Sequence, residues 1–593
     1  MADSEKSQAK PVEHAEYGEY KPNVTLVEAA AAASEEEGKL SRKELFSRYW
    51  PAATYSMLLS LALVMEGMDV GLINNFFAQN AYLNKFGWPD ANGDQHISAS
   101  WQAAIGNGNN LGSIVGLLLN GWLQSRFGSR KVYMAAMVSM GATIFTLFFS
   151  VNVQMLLAAN FLCGIPWGLF QTLTTAYAAE ICPAAMRGYL TAWVSMCWGT
   201  GTFLATIVLR GSLELEGDLG WKIPYALQWV WIVPLFIVGY LAPESPWYLV
   251  RKGRVEDAEK SLRRLARKYH YTEQSMAGTL ALMKHTDEME KIESAGATYK
   301  DCFRGTNLRR TGIICMAWAI QILNGQSICS YAAIFLKSAG MPETQSFNFN
   351  MGIQSVNILG TGIAIVLMGR VGRRTFFFFG SSIIGGLMLV VGILGSVGVA
   401  PSNVAIGVAV ALIITNLTFK MSLGPTTYTI VGETSSSRVR AQTIVLGRAV
   451  YVVGQIIVQQ LNPRMLNNKG DAWNWGAKAG FFYFGLCCVW ALWIFFFLPE
   501  TMNRSFAELD YLFQKKVPAR QFTTHPVDRK FYHNMNNLFC VDLASCGTIH
   551  QRIRLTTYTI QFSNSQVGSA ANSWMMIISR RMPARSEKKD KHE

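Results

Sequence analysis

Two carboxylates lie inside the first long apolar stretch of the sequence, residues 51–77. Glu66 and Asp69 are three positions apart, so a helix places them on one face. Because charge is costly at the depth of a membrane, carboxylates there are suited to taking up a proton on one side and releasing it on the other. The spacing predicts a proton-coupling site, with Asp69 as the first candidate. The alternative is a structural ion pair with Arg448 or Lys420.

The stretch that carries these carboxylates is one of many apolar runs. Half of the 593 residues are hydrophobic and only 16% are charged. A helix needs about 20 apolar residues to cross a membrane and satisfies its own backbone groups there. We therefore expect an all-α integral membrane protein with twelve membrane-spanning helices in two six-helix bundles. The predicted spans are residues 51–77, 99–124, 131–150, 154–177, 189–210, 224–242, 310–337, 347–370, 375–397, 403–430, 441–462 and 477–498.

One pattern recurs in both halves of the chain: an acid-to-arginine segment, then a Pro-Glu pair after a similar interval. The first copy contains Glu180, Arg187 and Glu244, and the second contains Glu433, Arg438, Arg440 and Glu500. A third element, residues 128–131, recurs as residues 372–375 in the same order. This repetition indicates that the chain is a duplicated membrane protein.

The net charge of +14 does not indicate nucleic-acid binding, because the Lys and Arg residues cluster in alternate loops. Examples are Arg126 and Arg130 after the second run and Arg370, Arg373 and Arg374 after the eighth. By the positive-inside rule, both termini and the central loop are expected to be cytoplasmic.

The predicted organisation follows from these spans. We expect a disordered cytoplasmic arm at 1–49, a six-helix bundle at 50–242, a central cytoplasmic loop at 243–308, a second bundle at 309–498 and a cytoplasmic tail at 499–593. In the central loop a helical pattern places Val255, Ala258, Leu262 and Leu265 on one face. The tail has no predicted fold beyond about residue 515.

Other classes of function lack their signatures. No Gly-x-x-x-x-Gly-Lys-Ser/Thr phosphate-binding loop occurs, so ATP-driven pumping is not expected. The eight histidines are scattered, and the ten cysteines lack paired metal spacing. We therefore predict no enzyme activity, no cofactor and no metal. The expected partners are a small-molecule substrate, protons and the lipid bilayer, without nucleic acid or an obligate protein partner.

Several longer motifs carry a family resemblance over roughly residues 50–520. They are MEGMDVGL, AAEICPAAMRGYLTAWVSMCW, YALQWVWIVPLF, APESPWYLVRKGR, WNWGAKAGFF and LPETMNRSFAELDYLF. The chain resembles the sugar-porter branch of the major facilitator superfamily, and within it the fungal maltose and α-glucoside permeases. The resemblance implies a major facilitator fold and sugar transport. Proton symporters of the family carry an acid in this Gly-x-Asp setting, which agrees with the choice of Asp69.

The repeated charges lie at the predicted cytoplasmic ends of the spans, where helices of the two halves separate and rejoin as access alternates. We expect them to hold the inward gate shut; the set is Glu180, Arg187, Glu244, Glu433, Arg438, Arg440, Glu500, Arg126 and Arg130. The alternative is a pair of solvated loops, with each ion pair worth ~0–1 kcal/mol. Where the family usually has an Asp before Arg-Phe-Gly, this chain has Ser125, with Gly369 in the second half, which predicts a weaker latch.

Sugar recognition combines polar side chains, which replace water on hydroxyls, with aromatic faces against the ring. Carried over by motif, the substrate-binding candidates are Gln321, Asn324, Ser327, Tyr331, Tyr428 and Thr202. Tyr428 stands where many sugar porters have a Trp after Gly-Pro. Core or interfacial packing is the alternative for Tyr331 and Tyr428.

The chain departs from the family at several polar positions. Thr202 replaces a common Gln, Ser113 replaces an acid of maltose symporters, and Ala449, Val450 and Val452 occupy Asn positions. Lys420 adds a cation in the tenth span, which could hold Asp69 or attract an anionic substrate. Fewer amide donors predict weaker sugar binding, so an unusual ligand stays open.

The sequence predicts a secondary transporter of the plasma membrane that imports a sugar with protons by alternating access. The substrate class is an α-glucoside such as maltose, or a hexose. Two alternatives remain. One is a carrier for a non-sugar metabolite. The other is a sugar receptor that does not transport and signals through its termini.

Overall fold

The computed structural model describes most of the chain between Arg42 and His525. The described residues are 42–89, 93, 95–182, 184–215, 217–267, 273–294, 298–338, 341–367, 370–397, 401–436, 439–467, 471–502, 504 and 506–525. Those up to Thr523 belong to one unit of the chain. The predicted disordered arm up to residue 41 and the tail beyond residue 525 lie outside the described residues.

Helices make up most of the first half of the chain. They are α1 (Arg42–Ser60), α2 (Ala62–Phe76), α3 (Asn80–Phe86), α4 (Ala99–Phe127), α5 (Ser129–Phe148), α6 (Val153–Ile181), α7 (Ala184–Ser212), α8 (Leu219–Ala226) and α9 (Trp229–Leu241). Asn152 begins α6 by accepting a hydrogen bond from the backbone N–H of Met155 at 2.8 Å. Between α3 and α4, strands β1 (Trp88–Pro89) and β2 (Gln95–His96) form an antiparallel pair.

The central segment and the second half are also helical. Their helices are α10 (Pro246–Arg251), α11 (Val255–Leu265), α12 (Glu273–Ser294), α13 (Gly305–Leu323), α14 (Ala332–Ser338), α15 (Glu343–Leu367), α16 (Arg373–Leu394), α17 (Pro401–Met421), α18 (Leu423–Thr434), α19 (Arg440–Leu466), α20 (Ala479–Phe497) and α21 (Phe506–Gln514). Short 3₁₀ helices occur at Tyr299–Phe303, Gln326–Tyr331, Gly476–Lys478 and Ala519–Gln521.

Ten helical stretches of the described residues are long and apolar enough to cross a membrane. They are Phe46–Phe76, Ser129–Phe148, Val153–Ile181, Leu219–Leu241, Gly305–Lys337, Glu343–Leu367, Arg373–Leu394, Val404–Thr434, Gln442–Leu466 and Gly476–Phe497. Many large apolar side chains of these stretches and their ends are exposed, such as Val138 within α5 and Phe149 directly after it. The all-α membrane fold is as the sequence predicts.

Two of the twelve predicted spans, 99–124 and 189–210, are not among these ten. They correspond to α4 and α7, helices of 29 residues each, which at 1.5 Å per residue exceed the ~30 Å of hydrocarbon. Each packs against a helix of the other half, α4 against α19 and α7 against α15. Because protein rather than lipid covers these faces, α4 can bury the amides of Asn107 and Asn109. The count of twelve spans stays a prediction.

Glycines let pairs of helices in the first half approach backbone to backbone. In α4, a side-chain Cβ at Gly112 or Gly116 would overlap a carbonyl oxygen of α6. On α6, a Cβ at Gly164 or Gly168 would overlap a carbonyl oxygen of α4. In a membrane, such small-residue contacts replace the hydrophobic driving force that associates helices in water. The close approach of α4 and α6 therefore requires a residue without a side chain at these positions.

The central segment packs against the start of the chain. α11 buries Ala258, Leu262 and Leu265 as its pattern predicts, whereas Val255 is exposed. The backbone N–H of Arg267 donates to the carbonyl of Arg48 in α1 at 2.8 Å. Helix α1 thus begins inside the predicted arm, because its first turns have the central segment to pack against.

Candidate functional site

Asp69 of α2 is fully buried and is held by two neutral donors. The indole Nε1 of Trp167 donates to its Oδ2 at 2.9 Å, and the amide of Gln228 donates to its Oδ1 at 3.1 Å. Trp167 lies in the middle of α6, and Gln228 precedes α9. Among the described residues, neither Arg448 nor Lys420 forms an ion pair with Asp69, so the alternative of a direct structural ion pair is not observed. A carboxylate held by neutral donors is free to change its protonation state without breaking an ion pair.

Glu66, one turn earlier in α2, is connected to the second half of the chain. The amide Nε2 of Gln171 in α6 donates to Glu66 Oε1 at 2.5 Å. The same amide accepts a hydrogen bond at its Oε1 from Arg448 Nη2 of α19, at 2.8 Å. Gln171 is therefore a relay between a carboxylate of one half and a guanidinium of the other. The three predicted coupling residues are brought together, but Arg448 acts on Glu66 through an amide that sequence reasoning missed.

Aromatic rings orient the guanidinium of Arg448. Its central carbon lies 4.5 Å from the ring centre of Tyr451 and 5.2 Å from that of Trp318. Trp318 also packs edge-on against Tyr428, with ring centres 4.9 Å apart. Such cation–π contacts are worth about 0.5–2 kcal/mol. Tyr428, predicted to bind substrate, is 46% exposed. Trp318 lies between it and Arg448 and contacts both.

Removing the relay is expected to weaken transport without unfolding the protein. In Gln171→Ala, Glu66 and Arg448 each lose a partly buried partner, which costs about 1–3 kcal/mol and corresponds to a roughly 5- to 150-fold loss in kcat/KM. Initial uptake rates measured over a range of external pH check this. Gln124→Ala is the matched control, because that side-chain amide also lies in the first half but bonds only to nearby Asn120 and Ser129. Equal effects of the two variants would contradict the relay.

The predicted substrate-binding residues of the seventh span surround a break in the helix. α13 ends at Leu323, Gly325 adopts a left-handed conformation (φ 89°), and a 3₁₀ helix follows. Gln321 donates to the carbonyl of Gly424 at 3.0 Å. Two buried polar atoms at this break, Gln321 Oε1 and Asn324 Nδ2, have no hydrogen-bond partner among the described residues. The hydroxyls of Ser327 and Tyr331 interact with Tyr483 and Gln459. Such atoms are costly in an apolar interior, so they suit a ligand or water.

Thr202 of α7 is joined to a second group of amides. The side chain of Asn357 on α15 donates to Thr202 Oγ1 at 3.1 Å and to Gln354 Oε1 at 2.9 Å. Gln354 in turn donates to the carbonyl of Cys329. Sequence reasoning missed Asn357 and Gln354, although two amides three residues apart in the apolar span 347–370 were a visible signal. Thr202 thus belongs to a hydrogen-bonded group of side chains that joins α7 to α15.

The basic face is defined by the helix ends that carry Arg126, Arg130, Arg251, Arg373 and Arg374. At this face the first Pro-Glu motif caps a helix. The carboxylate of Glu244 accepts hydrogen bonds from the backbone N–H groups of Ser129 and Arg130, at 2.8 and 3.3 Å. These groups open α5, where the helix dipole favours negative charge. Burial raises the pKa of Glu244 above its ordinary value, and the backbone donors act against that shift.

The second Pro-Glu motif makes the same contacts in the second half. Glu500 accepts from the backbone N–H groups of Arg373 and Arg374, at 2.8 and 3.1 Å, at the start of α16. The side chains of Arg130 and Arg374 each donate to a carbonyl of the sixth span of their own half, those of Tyr240 and Phe495. The internal repeat is thus a repeat of structure as well as of sequence.

The other gate carboxylates also bind within their own halves. Glu180 pairs with Arg251 at 3.1 Å. Glu433 pairs with Arg373 at 3.0 Å and accepts from Thr501. The described gate carboxylates therefore bind partners on their own side of the repeat, and the role of the set in gating stays a prediction.

The structure describes some arginines of the gate set and leaves out others. Arg126 stacks on Trp122 at 5.5 Å, and its carbonyl accepts from Tyr248. Arg440 is exposed at the start of α19. The side chain of Arg187 and the whole of Arg438 lie outside the described residues.

The two halves are joined by polar contacts at the opposite face, which we define by Asn80, Ser100, Asp218, Glu343 and Asp471. The backbone N–H of Asn80 donates to Glu343 at 2.9 Å, and Lys337 donates to Asn80 Oδ1 at 2.7 Å. Asp471 accepts from the backbone N–H of Ala99 at 2.8 Å and from Ser100. Asp471 thus caps α4 from the other half. This is the pattern of a state closed toward the opposite face.

Neutralising this cap is expected to loosen the closed state modestly. Burial acts against the charge of Asp471, but bonds from Ser100 and Ala99 hold its pKa below the ordinary 3.8. The ionised form of Asp471 therefore stabilises the closed state above pH 3.8, and this stabilisation is lost as the pH falls through the lowered pKa. Asp471→Asn should shift the equilibrium toward opening by roughly two- to fivefold, or about 0.3–1 kcal/mol. Distances between spin labels on the two halves check this.

Asp218→Asn is the matched control for this measurement. Asp218 lies on the same face, but its ion pairs with Lys222 and Lys85 stay within the first half. Identical label distances in the two variants would contradict a lock at Asp471.

Two repeated helical halves around a buried carboxylate site define a secondary membrane transporter of the major facilitator fold. The chain belongs to the sugar (and other) transporter family, which it matches over residues 55–513. The predicted sugar-porter resemblance is confirmed, and membership places the protein among transporters rather than enzymes.

Curated relatives support this assignment. A general alpha-glucoside permease of Saccharomyces cerevisiae is 36% identical over 504 residues, covering 84% of this chain and 81% of that protein. A maltose permease of the same organism has the same identity and coverage.

Solved structures show the same fold. The partially occluded inward-open xylose transporter of E. coli has a TM-score of 0.63 at 19% identity, covering 77% of this chain and 99% of that chain. A major facilitator proton:xylose symporter bound to 6-bromo-6-deoxy-D-glucose has a TM-score of 0.62 at 20% identity, covering 78% and 99%.

Proposed function

We propose that this protein imports an α-glucoside, with maltose as the first candidate, together with protons moving in the same direction. The relatives at 36% identity are an alpha-glucoside permease and a maltose permease, which supports this substrate class. The predicted orientation puts the basic face in the cytoplasm, with the plasma membrane as the location. A single chain suffices for alternating access, so no protein partner is required.

One observation carries the proton-coupling part of the proposal: the link from Glu66 through Gln171 to Arg448 joins the two halves. A proton on Glu66 removes the charge that polarises this link, so its attraction for Arg448 weakens. Protonation would thereby change how strongly the halves hold together at mid-membrane. That is the property a symporter needs, because the conformational change must depend on whether the proton is bound.

Asp69 supplies the second proton-binding group of this mechanism. It lies one turn from Glu66 and has only neutral partners. Its protonation therefore depends on the water that reaches α2 as access alternates, and less on a fixed counter-charge. In this mechanism Asp69 loads the proton from one side and passes it to Glu66, where the proton weakens the link to the second half.

Uptake of radiolabelled maltose by a host without α-glucoside transport tests the proposal, with the external pH recorded. We expect accumulation of the sugar and a maltose-dependent alkalinisation of the medium. Surface expression is confirmed in the same cells. If the protein reaches the surface but no α-glucoside enters, the transport proposal fails. Binding without accumulation would indicate the receptor alternative.

A further inference from the structure

Lys420 is a buried cation that the mechanism above does not use. It lies in the last turn of α17, next to the break at Ser422 that separates α17 from α18, and it is 7% exposed. A lysine buried this deeply inside a membrane protein faces the protein interior or a water-filled path, and marks a functional position by default. Its place at a discontinuity of the tenth span is where transporters of this architecture form substrate sites.

The ammonium of Lys420 makes no ion pair in the part of the chain that the structure describes. Its nearest aromatic partner is Trp198 of α7, in the other half, with 4.9 Å from Nζ to the ring centre; Phe419 lies at 5.9 Å. The ring of an indole attracts a cation but carries no countercharge. Lys420 therefore lacks an anion in this state.

Four charged side chains from the coupling site and the tenth span set the charge balance. Two carboxylates, Glu66 and Asp69, come from α2, and two cations, Arg448 and Lys420, come from the second half. Arg448 is already linked to Glu66 through Gln171, and Asp69 is held by neutral donors. When a symported proton neutralises one carboxylate, the site is left with one net positive charge, and Lys420 is the cation without a partner.

Polar and aromatic groups beside Lys420 suit a sugar. The Lys420 side chain packs at Gly360 of α15, and Asn357 lies three residues earlier on the same helix face. Asn357 is 1% exposed, and its Oδ1 has no hydrogen-bond partner among the described residues. Trp198 offers a ring face for the C–H side of a pyranose. A cation that contacts an indole of α7 thus packs against the face of α15 that carries an amide oxygen without a partner among the described residues.

We infer that Lys420 binds the carboxylate of an acidic glycoside, so that the protein prefers α-glycosides carrying one carboxylate over their neutral counterparts. This inference rests on the proposed function, keeps its α-glycoside class and changes the preferred member from a neutral to an acidic one. One lysine matches one negative charge. Import of a monoanion with one proton moves no net charge, whereas import of a neutral glycoside with one proton moves one.

The test compares methyl α-D-glucopyranoside with its C6 carboxylate, methyl α-D-glucopyranosiduronate, on the purified full-length protein in proteoliposomes. Binding is followed by tryptophan fluorescence, and charge movement by currents on a solid-supported membrane. The wild type should bind the uronate at least tenfold more tightly. Lys420→Gln should lower the uronate-to-glucoside affinity ratio at least tenfold, and Lys420→Arg should largely restore it. Size-exclusion chromatography establishes that each variant is folded.

The outcomes separate this inference from the proposed function. If the neutral glucoside binds and is transported with a current but the uronate binds no better, the inference is overturned and the proposed function stands. An affinity ratio that Lys420→Gln leaves unchanged also overturns it. If neither compound binds the folded wild type, the α-glucoside proposal itself fails. Uronate transport that carries as much charge per molecule as glucoside transport contradicts the charge balance.

Discussion

Asp69→Asn is expected to abolish accumulation of substrate against its gradient. Asparagine keeps the size of the side chain: its Oδ1 can accept from Trp167, and its Nδ2 can donate to Gln228 Oε1 once that amide turns over. It takes up no proton at neutral pH. With a gradient of about one pH unit, one coupled proton sustains about tenfold accumulation, or about 1.4 kcal/mol. The variant should equilibrate at a ratio of about 1, while exchange of labelled for unlabelled maltose continues. Steady-state accumulation and exchange in proteoliposomes check this.

Glu214→Gln is the matched control for Asp69→Asn. It also removes one carboxylate, but Glu214 is exposed and pairs only with Arg210, one turn away in sequence. The control should accumulate substrate as the wild type does. Accumulation by Asp69→Asn at the wild-type ratio would exclude Asp69 as the coupling group and leave Glu66 to be tested alone.

Gly112→Val is expected to destabilise the fold strongly. Its Cβ would overlap the carbonyl oxygen of Phe161 on α6, and the overlapping atom is backbone, which no change of rotamer can move aside. The two helices would have to separate, with loss of the reciprocal contacts at Gly164. Overpacking of this kind costs typically about 1–3 kcal/mol and more where the backbone must shift. Yield and melting temperature by fluorescence-detected size exclusion should both fall sharply.

Gly121→Val on the same helix is the matched control. A Cβ at Gly121 meets nothing within 4 Å, so the same change of residue type costs only what it costs in an exposed helix position. Comparable losses in the two variants would show that helix propensity, not the contact between α4 and α6, determines the result.

The fold was largely predictable because membrane-spanning helices are determined by local composition. Hydropathy located the spans, and the repeated motifs at Glu244 and Glu500 indicated the duplication. Hydropathy identifies α4 and α7 as membrane spans less clearly than the others, because these helices bury polar faces against the other half. The N-terminal boundary was placed too late because the contact between Arg48 and Arg267 joins segments far apart in sequence.

The site was predictable only in part. A carboxylate within an apolar stretch can be recognised from the sequence alone, whereas its hydrogen-bond partners lie on other helices. Trp167, Gln228 and Gln171 bind the carboxylates of α2 from α6 and from the start of α9, and no local pattern relates them. The suggested pairing of Lys420 with Asp69 is not observed among the described residues, for the same reason. Charge complementarity alone does not show that the ring of Trp198, and not a carboxylate, packs against Lys420.

The gate residues illustrate another limit of sequence reasoning. Their repetition predicted a charge network at the gate, and that role stays a prediction. The contacts that the structure shows include backbone groups, which a motif does not display. Glu244 binds the first N–H groups of α5, and Glu500 those of α16. Each motif therefore holds its own half together in this state, in addition to any contact with the other half.

The central claim is that sugar and proton cross together through the site at Glu66 and Asp69. The most direct measurement loads proteoliposomes with a pH-sensitive dye, removes any pH difference and membrane potential, and adds maltose outside. We predict that maltose entry acidifies the lumen in the wild type and that Asp69→Asn gives no acidification. Maltose entry without acidification in the wild type, with uptake independent of pH, would contradict the account.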